Sequence, residues 1–236
     1  KRATFSQYVS SNSELLLGLI NDILDESKFE AGYVNFKYEQ FSISDLFQEI
    51  YDTYQKKIKS DVLFVCDIKN DNCIVEFDKN RMTQIINNFI TNSNKYTREG
   101  YIKFGYVCEN GGVRIFVEDS GIGIPDDKKD RVFSRFEKLD SFAQGTGLGL
   151  SICKSIAEAA GGNVGFESEV DRGSKFWAWI PMKVTHSDSS AAINDADSDV
   201  PTAQQGVSIL VVEDNDSNYF LVETMLSEHS LERARN

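Results

Sequence analysis

The chain has 236 residues and a formal net charge of −12. This acidic balance disfavours nucleic acid as the main partner, because phosphate backbones are bound by basic surfaces. The sequence contains neither a run of about 18 apolar residues nor a recognisable signal peptide, so we expect a cytoplasmic chain without membrane contact. A parent protein anchored in the inner membrane stays compatible with that expectation. The four cysteines lack metal-ligand spacing, and we expect reduced core residues at Cys66, Cys73, Cys108 and Cys153.

An amphipathic helix is predicted from residue 3 to about residue 30. Apolar side chains recur there at helical spacing, and Gly32 provides a stop. The chain offers no partner helix for this apolar face, so the helix either packs on its own domain or belongs to a helix bundle. The positions that form the face are Val9, Leu16, Leu19, Ile20, Ile23 and Leu24.

The next segment alternates apolar and polar residues over 34–41, which predicts a half-buried strand. Ser42 or Ser44 can cap a helix that continues to about Lys59. Strands are predicted over residues 62–67 and 73–77, and Asp78 is a candidate cap for the helix that follows.

That helix carries a first polar constellation. Asn88, Asn92 and Lys95 stand at i, i+4 and i+7 and therefore share one face. An amide oxygen is a hard ligand that suits magnesium, which is held through few protein groups together with phosphate oxygens. A solvated helix face would show the same pattern, so the assignment depends on the motifs that follow.

A strand pair is predicted over residues 101–108 and 113–118, joined by a turn at Asn110. The second strand leads directly to Asp119, and Gly121 and Gly123 then predict a sharp turn that a ligand approaches closely. An ionised carboxylate only accepts hydrogen bonds, so Asp119 suits a ligand with an amino group such as adenine. An ordinary loop would explain this stretch equally well when it is taken alone.

A second glycine-rich stretch runs from Gly145 to Leu150 and precedes a predicted helix that ends near Gly161. Its backbone N–H groups and the positive end of the helix favour phosphate, and we expect the segment to become ordered when nucleotide binds.

Two pairs of aromatic residues flank this stretch. Phe133 and Phe136 are interpreted as core residues that order a lid over the ligand. Trp177 and Trp179 belong to a closing strand over residues 174–180, and we expect one of them in the core and the other outside.

Residues 88–97, 119–125, 133–136 and 145–150 closely resemble, in order, the N, G1, F and G2 boxes of sensor histidine kinases. The resemblance covers about residues 6–182. It implies an α+β fold, a two-layer α/β sandwich of the Bergerat ATP-binding type found in GHKL proteins. It also implies a protein-histidine kinase that uses ATP and Mg²⁺ in a two-component phosphorelay.

The resemblance also assigns roles to single residues. Asn92 is the implied magnesium ligand, Ser174 is the hydroxyl that holds adenine together with Asp119, and Lys138 is the basic residue that reaches the phosphates. Asn88 and Lys138 are the implied catalytic residues. The implied nucleotide-binding residues are Asn88, Asn92, Lys95, Tyr96, Asp119, Gly121, Gly123, Lys138, Gly145, Thr146, Gly147, Leu148, Gly149 and Ser174.

The identity of residue 88 separates two reactions. Related ATPases of the gyrase, MutL and Hsp90 kind place a glutamate there as general base for water, whereas this chain has Asn88. An amide cannot take up a proton at neutral pH, so hydrolysis by that route is disfavoured and phosphoryl transfer is favoured. A module that binds ATP without catalysis, as a sensor or dimerisation unit, is the remaining alternative.

The two ends of the chain indicate a fragment of a larger kinase. Residues 14–32 resemble the second helix of the dimerisation hairpin, whose first helix carries the phosphoacceptor histidine and pairs with a second kinase chain. His186 and His229 lie outside the His-Glu-x-x-x-Pro context and are interpreted as surface imidazoles. We therefore expect this chain to bind ATP without phosphorylating itself.

The C-terminal part resembles the start of a receiver domain, which predicts a hybrid kinase. A strand delivers Glu213 and Asp214, the pair that binds magnesium in receivers, and a helix is predicted over 217–227. About 30 residues are too few to fold alone, so we expect this part to lack order or to use a neighbouring surface. The predicted divisions are the helix 1–31, the ATP-binding domain 32–184, the linker 185–206 and the receiver start 207–236.

Overall fold

The computed structural model describes residues 16–18, 20, 23–25, 27–29, 35–68, 73–137, 146–186, 208–212 and 230–234. The chain divides into two compact units, Lys1–Ser189 and Ser190–Asn236. No helix among these residues is long and apolar enough to span a membrane.

The described residues between 16 and 29 are helical, as the periodicity predicts. We call them the N-terminal helical segment. Its large apolar side chains face solvent, with 46–60% of their surface exposed at Leu16, Leu17, Ile20, Ile23 and Leu24. Val9 and Leu19 lie outside the described residues.

Three helices lie on one face of the first unit. They are α1 (Ile43–Tyr54), α2 (Lys79–Tyr96) and α4 (Gly149–Ala159), while α3 (Asp126–Lys129) is a single turn. The Ser42 hydroxyl caps α1 by accepting from the N–H of Asp45, and the Asp78 carboxylate caps α2 by accepting from the N–H of Arg81. Both predicted caps are therefore confirmed.

Helix α1 is shorter than predicted. It ends at Tyr54 rather than near Lys59, because the N–H groups of Lys57 and Ile58 both turn back to the Tyr54 carbonyl. This turn redirects the chain into the strand that begins at Val62.

The main sheet has five strands in the order β2-β4-β5-β7-β6. The pair β2–β4 is parallel and the other pairs are antiparallel. The turn between β4 and β5 uses Asn110 and Gly111, both with positive φ, as the predicted hairpin requires. The bounds are β2 (Val62–Asp67), β4 (Gly100–Glu109), β5 (Gly112–Asp119), β6 (Asn163–Glu169) and β7 (Gly173–Pro181).

A smaller antiparallel sheet has the order β1-β3-β8. Its strands are β1 (Glu39–Ser42), β3 (Cys73–Phe77) and β8 (Val184–His186). The predicted strand over residues 34–41 is thus found only from Glu39 onward. Phe36 nevertheless packs on Phe77, with the ring centroids 5.4 Å apart.

The helices and the inner faces of the strands enclose one apolar core. Its largest fully buried members include Phe47, Phe89, Phe104 and Phe176. Because helices cover one face of the main sheet, the observed fold is the predicted two-layer α/β sandwich.

Two aromatic predictions were wrong. Trp177 and Trp179 both lie on the outer face of β7, because residues two apart on a strand share a face, and Ala178 between them is buried. Phe136 is 66% exposed with a φ of 59°, whereas Phe133 packs on Phe166 and Phe176 as predicted. Phe136 instead uses its backbone N–H, which donates to the Gly147 carbonyl at 3.0 Å.

In the second unit, β9 (Ser208–Val212) corresponds to the predicted strand of the receiver start. It pairs in parallel with β10 (Ser230–Ala234), a strand that the sequence analysis did not predict. The described part of this unit is therefore a two-stranded sheet, and the expectation about its order stays a prediction. The predicted helix 217–227 lies outside the described residues.

Candidate nucleotide-binding site

Asp119 is the last residue of β5, in the middle of the main sheet. It is paired with Ile102 on β4 and with Ser174 on β7, and only 4% of its surface is exposed. The β5–β7 register therefore places Asp119 beside Ser174. The family resemblance in the sequence implies that these two residues hold the same ligand, adenine.

Two hydrogen bonds fix the Asp119 carboxylate. The hydroxyl of Ser93, on α2, donates to Oδ2 at 2.8 Å, and the backbone N–H of Gly121 donates to Oδ1 at 2.9 Å. Burial raises the pKa of Asp119, and hydrogen bonding from Ser93, from the backbone of Gly121 and Ser174, and from Thr97 opposes that rise only in part. The carboxylate keeps lone pairs for one further donor, so the site favours a ligand that donates a hydrogen bond.

An orphaned hydroxyl and a missing side chain lie next to this carboxylate. Thr97 is fully buried; its Oγ1 makes no hydrogen bond of normal geometry among the described residues, yet it lies near enough to the carboxylate to lower the pKa of Asp119. A Cβ on Gly121 would lie 2.8 Å from Asp119 Oδ1 and 3.0 Å from Thr97 Oγ1. The same Cβ would lie 2.7 Å from the Tyr96 carbonyl, so glycine lets the turn pack closely against the end of α2 and against the carboxylate.

Serine hydroxyls form the opposite wall. Ser174 Oγ lies 2.9 Å from Ser168 Oγ, and Ser168 Oγ accepts from the N–H of Ile124 at 2.8 Å. Gly123 has a φ of +68°, and a Cβ there would meet the Glu169 carbonyl at 2.0 Å. The turn after Asp119 thus rests on the end of β6, and glycine is required at residue 123.

The polar face of α2 borders a cleft. Asn92 and Tyr96 line this cleft together with Ile124, Lys128, Arg131, Val132 and Leu150. Lys95 turns toward the Tyr96 ring, with Nζ 4.7 Å from the centroid. Asn92 is partly exposed to the cleft, as a ligand for an incoming metal ion must be.

Asn88 connects α2 to the second glycine-rich stretch. Its Nδ2 donates to the Gly149 carbonyl at 3.0 Å, at the first turn of α4. This contact fixes the orientation of the Asn88 amide. The side chain at residue 88 is thus a neutral amide and not a carboxylate. Ahead of it, Thr146 Oγ1 accepts from the N–H of Leu148 at 3.1 Å, and Gly147 has a φ of +74°.

The structure does not describe all the predicted site residues. Lys138, Gly145, Glu213 and Asp214 lie outside the described ranges. Of the remaining ones, Asn92 and Tyr96 line the cleft, Asp119 contacts Gly121 and is paired with Ser174, and Asn88 contacts Gly149. The assignment of Lys95, Gly123, Thr146, Gly147 and Leu148 to the nucleotide stays a prediction.

Sequence reasoning missed five residues of the site. Ser93, Thr97 and Ser168 lie around Asp119 and the turn that follows it, while Lys128 and Arg131 line the cleft together with Asn92. Ser93 and Thr97 lie one helical turn on from residues 89 and 93, on the buried face of α2. A polar residue at a core position was therefore the available signal.

Comparison with known proteins identifies the domain. Residues 77–184 match the family of histidine kinase-, DNA gyrase B- and HSP90-like ATPases. Together with the histidine kinase relatives described next, this match shows that the chain carries the ATP-binding catalytic domain of a sensor histidine kinase. All site residues described above, from Asn88 to Ser174, fall within the matched range.

Two curated relatives are histidine kinases. The chain is 35% identical over 189 residues to the circadian input-output histidine kinase CikA of Synechococcus elongatus. The aligned region covers 77% of this chain and 25% of CikA. It is 37% identical over 191 residues to the hybrid signal transduction histidine kinase B of Dictyostelium discoideum, covering 76% of this chain and 10% of that protein. The chain thus spans a quarter or less of the length of these two relatives.

Two solved structures support the fold. The catalytic domain of histidine kinase ThkA is 32% identical, with a TM-score of 0.55, and the match covers 61% of this chain and 95% of that domain. Full-length ShkA in complex with AMPPNP has a TM-score of 0.77 at 22% identity, covering 99% of this chain and 48% of ShkA. At that identity the ShkA match shows a shared fold alone.

Proposed function

We propose that this kinase domain holds Mg-ATP and presents the γ-phosphoryl group to a histidine of a dimerisation helix, in a hybrid two-component phosphorelay. The observation that carries the proposal is the buried Asp119 carboxylate, oriented by Ser93 and Gly121 with the Thr97 hydroxyl beside it. This arrangement suits adenine. We assign the phosphates to the cleft lined by Asn92, Lys128 and Arg131, where Arg131 pairs with Glu137 at 2.9 Å.

The donor set fits magnesium as well as nucleotide. Asn92 supplies a neutral oxygen ligand, and Mg²⁺ commonly takes one or two protein ligands together with phosphate oxygens and water. When bound, the ion neutralises phosphate charge. The role of this chain is then to position the nucleotide: Asp119 and Ser174 hold the base, while Lys95, Lys138 and the stretch from Gly145 to Gly149 surround the phosphates.

Asn88 supports transfer over hydrolysis. Its amide donates to the Gly149 carbonyl, so the group at this position is a neutral donor rather than a carboxylate base. Water activation by residue 88 is therefore absent from the proposed reaction, and the acceptor comes from outside the site.

The proposed acceptor partner docks on the N-terminal helical segment. The apolar side chains of this segment, among them Leu16 and Ile20, have helical spacing and are exposed to solvent. A dimerisation hairpin from this protein and a second kinase chain would bury that surface in a helix bundle. In this proposal the dimerisation helix ends at residue 31, the ATP-binding domain ends at residue 184 and the linker ends at residue 206.

We further propose that residues 207–236 begin a receiver domain. The parallel pairing of β9 with β10 supports this, because a parallel pair requires a crossover connection of the βαβ kind. Glu213 and Asp214 follow β9 directly and would form part of a magnesium site that the rest of a receiver completes.

Radiolabelled phosphate transfer tests the proposed reaction. The chain is incubated with γ-labelled Mg-ATP alone, or with a separately produced dimerisation hairpin that carries the acceptor histidine. Label is expected on the hairpin and not on this chain. Steady ADP release without labelled hairpin would favour a hydrolase, and tight ATP binding with neither product would favour a sensing module.

The Asn92→Ala variant tests the metal assignment. Loss of the amide ligand is expected to lower ATP affinity about tenfold in magnesium and to leave affinity in EDTA unchanged, because the residue acts through the ion. Calorimetry in both buffers measures the difference. Thr91→Ala, at an exposed neighbouring position of α2, is the matched control. An equal loss of affinity in both buffers would contradict the assignment.

A further inference from the structure

Two cysteine side chains meet between the two sheets of the ATP-binding domain. The sulfur atoms of Cys73 on β3 and Cys108 on β4 are 3.3 Å apart, and 35 positions separate the residues in the sequence. Both are reduced; Cys73 is fully buried and Cys108 is partly exposed. An oxidant can therefore reach the pair from the side of Cys108.

The other two cysteines have different surroundings. The thiol of Cys66 donates to the Phe47 carbonyl at 4.0 Å, and the thiol of Cys153 donates to the Ile85 carbonyl at 3.8 Å. Burial, with a smaller contribution from Asp67, raises the pKa of Cys66 to about 12, so its thiol stays protonated and is a poor nucleophile. Cys66 is thus a natural internal control for Cys108, since both are partly exposed.

The pair lies far from the nucleotide. Cys108 is opposite Val113 near the hairpin end of β4, whereas Asp119 is opposite Ile102. Six strand positions separate Ile102 from Cys108, which corresponds to about 20 Å. A covalent change at Cys108 therefore leaves the contacts of the purine intact.

The small sheet is where the chain enters and leaves the ATP-binding domain. Strand β1 follows the N-terminal helical segment, and β8 precedes the linker to the second unit. Both pair with β3, which begins at Cys73. A bond from Cys73 to Cys108 would tie this sheet to the main sheet.

We propose that Cys73 and Cys108 form a redox site that a hydroperoxide converts into a disulfide. The Cys108 sulfur attacks the peroxide, the O–O bond breaks, and the products are a sulfenic acid and water or an alcohol. The Cys73 sulfur then attacks the Cys108 sulfur, the S–O bond breaks, and the hydroxyl leaves as water with the Cys73 proton. Two electrons pass from the thiols to the peroxide.

The geometry needs little change. The sulfur atoms must approach from 3.3 Å to about 2.0 Å, which side-chain rotation supplies. Because the bond closes a loop of 35 positions, oxidation is expected to raise the melting temperature by about 5–10 °C. ATP affinity is expected to change less than twofold.

Peptide mapping of the full chain tests the proposal. The protein is treated with hydrogen peroxide, quenched with an alkylating reagent and digested without reductant. A peptide joining residues 73 and 108, with a loss of two hydrogen atoms, is expected in the wild type and in Cys66→Ser. The joined peptide and the rise in melting temperature should be absent in Cys108→Ser.

Mapping in the wild type decides the question even if a substitution at the buried Cys73 prevents folding. Oxidation of Cys108 to sulfinic acid without the joined peptide would overturn the proposal. So would a joined peptide without a change in melting temperature, or cross-links chiefly between chains on a non-reducing gel.

Discussion

The Asp119→Asn variant is expected to lose ATP binding by a factor of about 30 or more while the domain stays folded. The substitution keeps the shape of the side chain but replaces a carboxylate oxygen by an NH₂ group. That group would face the amino group of adenine donor to donor, so a charge-assisted hydrogen bond is lost and a buried donor is left unpaired. Calorimetric titration with ATP measures the loss.

The Asp119→Asn variant is expected to be more stable than the wild type at neutral pH, although it binds ATP more weakly. The pKa of Asp119 is raised in the folded state because of burial, so the folded protein binds the proton more tightly than the unfolded chain. The contribution of this group to stability is therefore largest below the pKa of the unfolded carboxyl and falls as pH rises through the folded pKa. Urea unfolding between pH 4 and pH 8 should show a smaller decline in Asp119→Asn than in the wild type.

Glu118→Gln is the matched control, since it makes the same chemical change one residue earlier on the same strand. Glu118 lies on the outer face of the sheet, where it accepts from the Tyr101 hydroxyl at 2.7 Å and lies near Lys103 and Lys175. ATP affinity should be unchanged in this variant. Equal affinities for Asp119→Asn and the wild type would contradict the purine assignment and with it the proposed function.

The sequence predicted well where a local signal decides the structure. The caps Ser42 and Asp78 have side chains that satisfy nearby N–H groups, and the hairpin turn follows from the positive φ that Asn110 and Gly111 adopt. The glycine predicted in the turn at residue 121 is also explained locally, because a Cβ there would lie 2.7 Å from the Tyr96 carbonyl and 2.8 Å from Asp119 Oδ1.

Features that depend on tertiary packing were not predictable in this way. Ser93 has the spacing of a core residue on α2, and its role appears only when β5 brings Asp119 to 2.8 Å from its hydroxyl. Phe136 is apolar at a spacing typical of core residues, yet its φ of 59° and its bond to Gly147 turn the ring outward. The contact between Cys73 and Cys108 joins two sheets and has no counterpart in local sequence.

A second large effect is expected at the junction between the N-terminal helical segment and α2. The Arg81 guanidinium binds the Asp25 carboxylate through two nitrogens, at 2.6 and 3.1 Å, and Gln84 Nε2 donates to the same carboxylate at 3.3 Å. Arg81 also lies over the Phe29 ring, 5.6 Å from its centroid. The hydrogen bond from Arg81 lowers the pKa of Asp25, so the pair is ionised at neutral pH.

This junction shares a helix face with the nucleotide site. Arg81, Asn88 and Asn92 stand at i, i+7 and i+11 on α2, positions that three helical turns bring into line. The helix that holds the segment at its first turn therefore also carries the candidate metal ligand, about 16 Å further along. A rigid junction would keep a constant distance between the N-terminal helical segment, on which the acceptor helix is proposed to dock, and the candidate metal ligand Asn92.

The Arg81→Gln variant is expected to destabilise the protein by about 1–3 kcal/mol. The side chains of the pair are only 25% and 18% exposed, which places the loss between that of a surface ion pair and that of a buried one. Lys79→Gln in the same turn removes the Lys79–Glu49 pair, which is 34% and 62% exposed, and should cost less than about 0.5 kcal/mol. Denaturant unfolding of both variants measures the difference.

Hydrogen exchange shows where the Arg81→Gln effect lies. Peptides from residues 16–29 should exchange faster than in the wild type, since Asp25 loses its bidentate partner, while peptides around Asp119 should be unchanged. Arg81→Lys keeps the charge without the planar fork and should give an intermediate result. Unchanged exchange of the segment in Arg81→Gln would mean that apolar packing, and not this ion pair, attaches it to the ATP-binding domain.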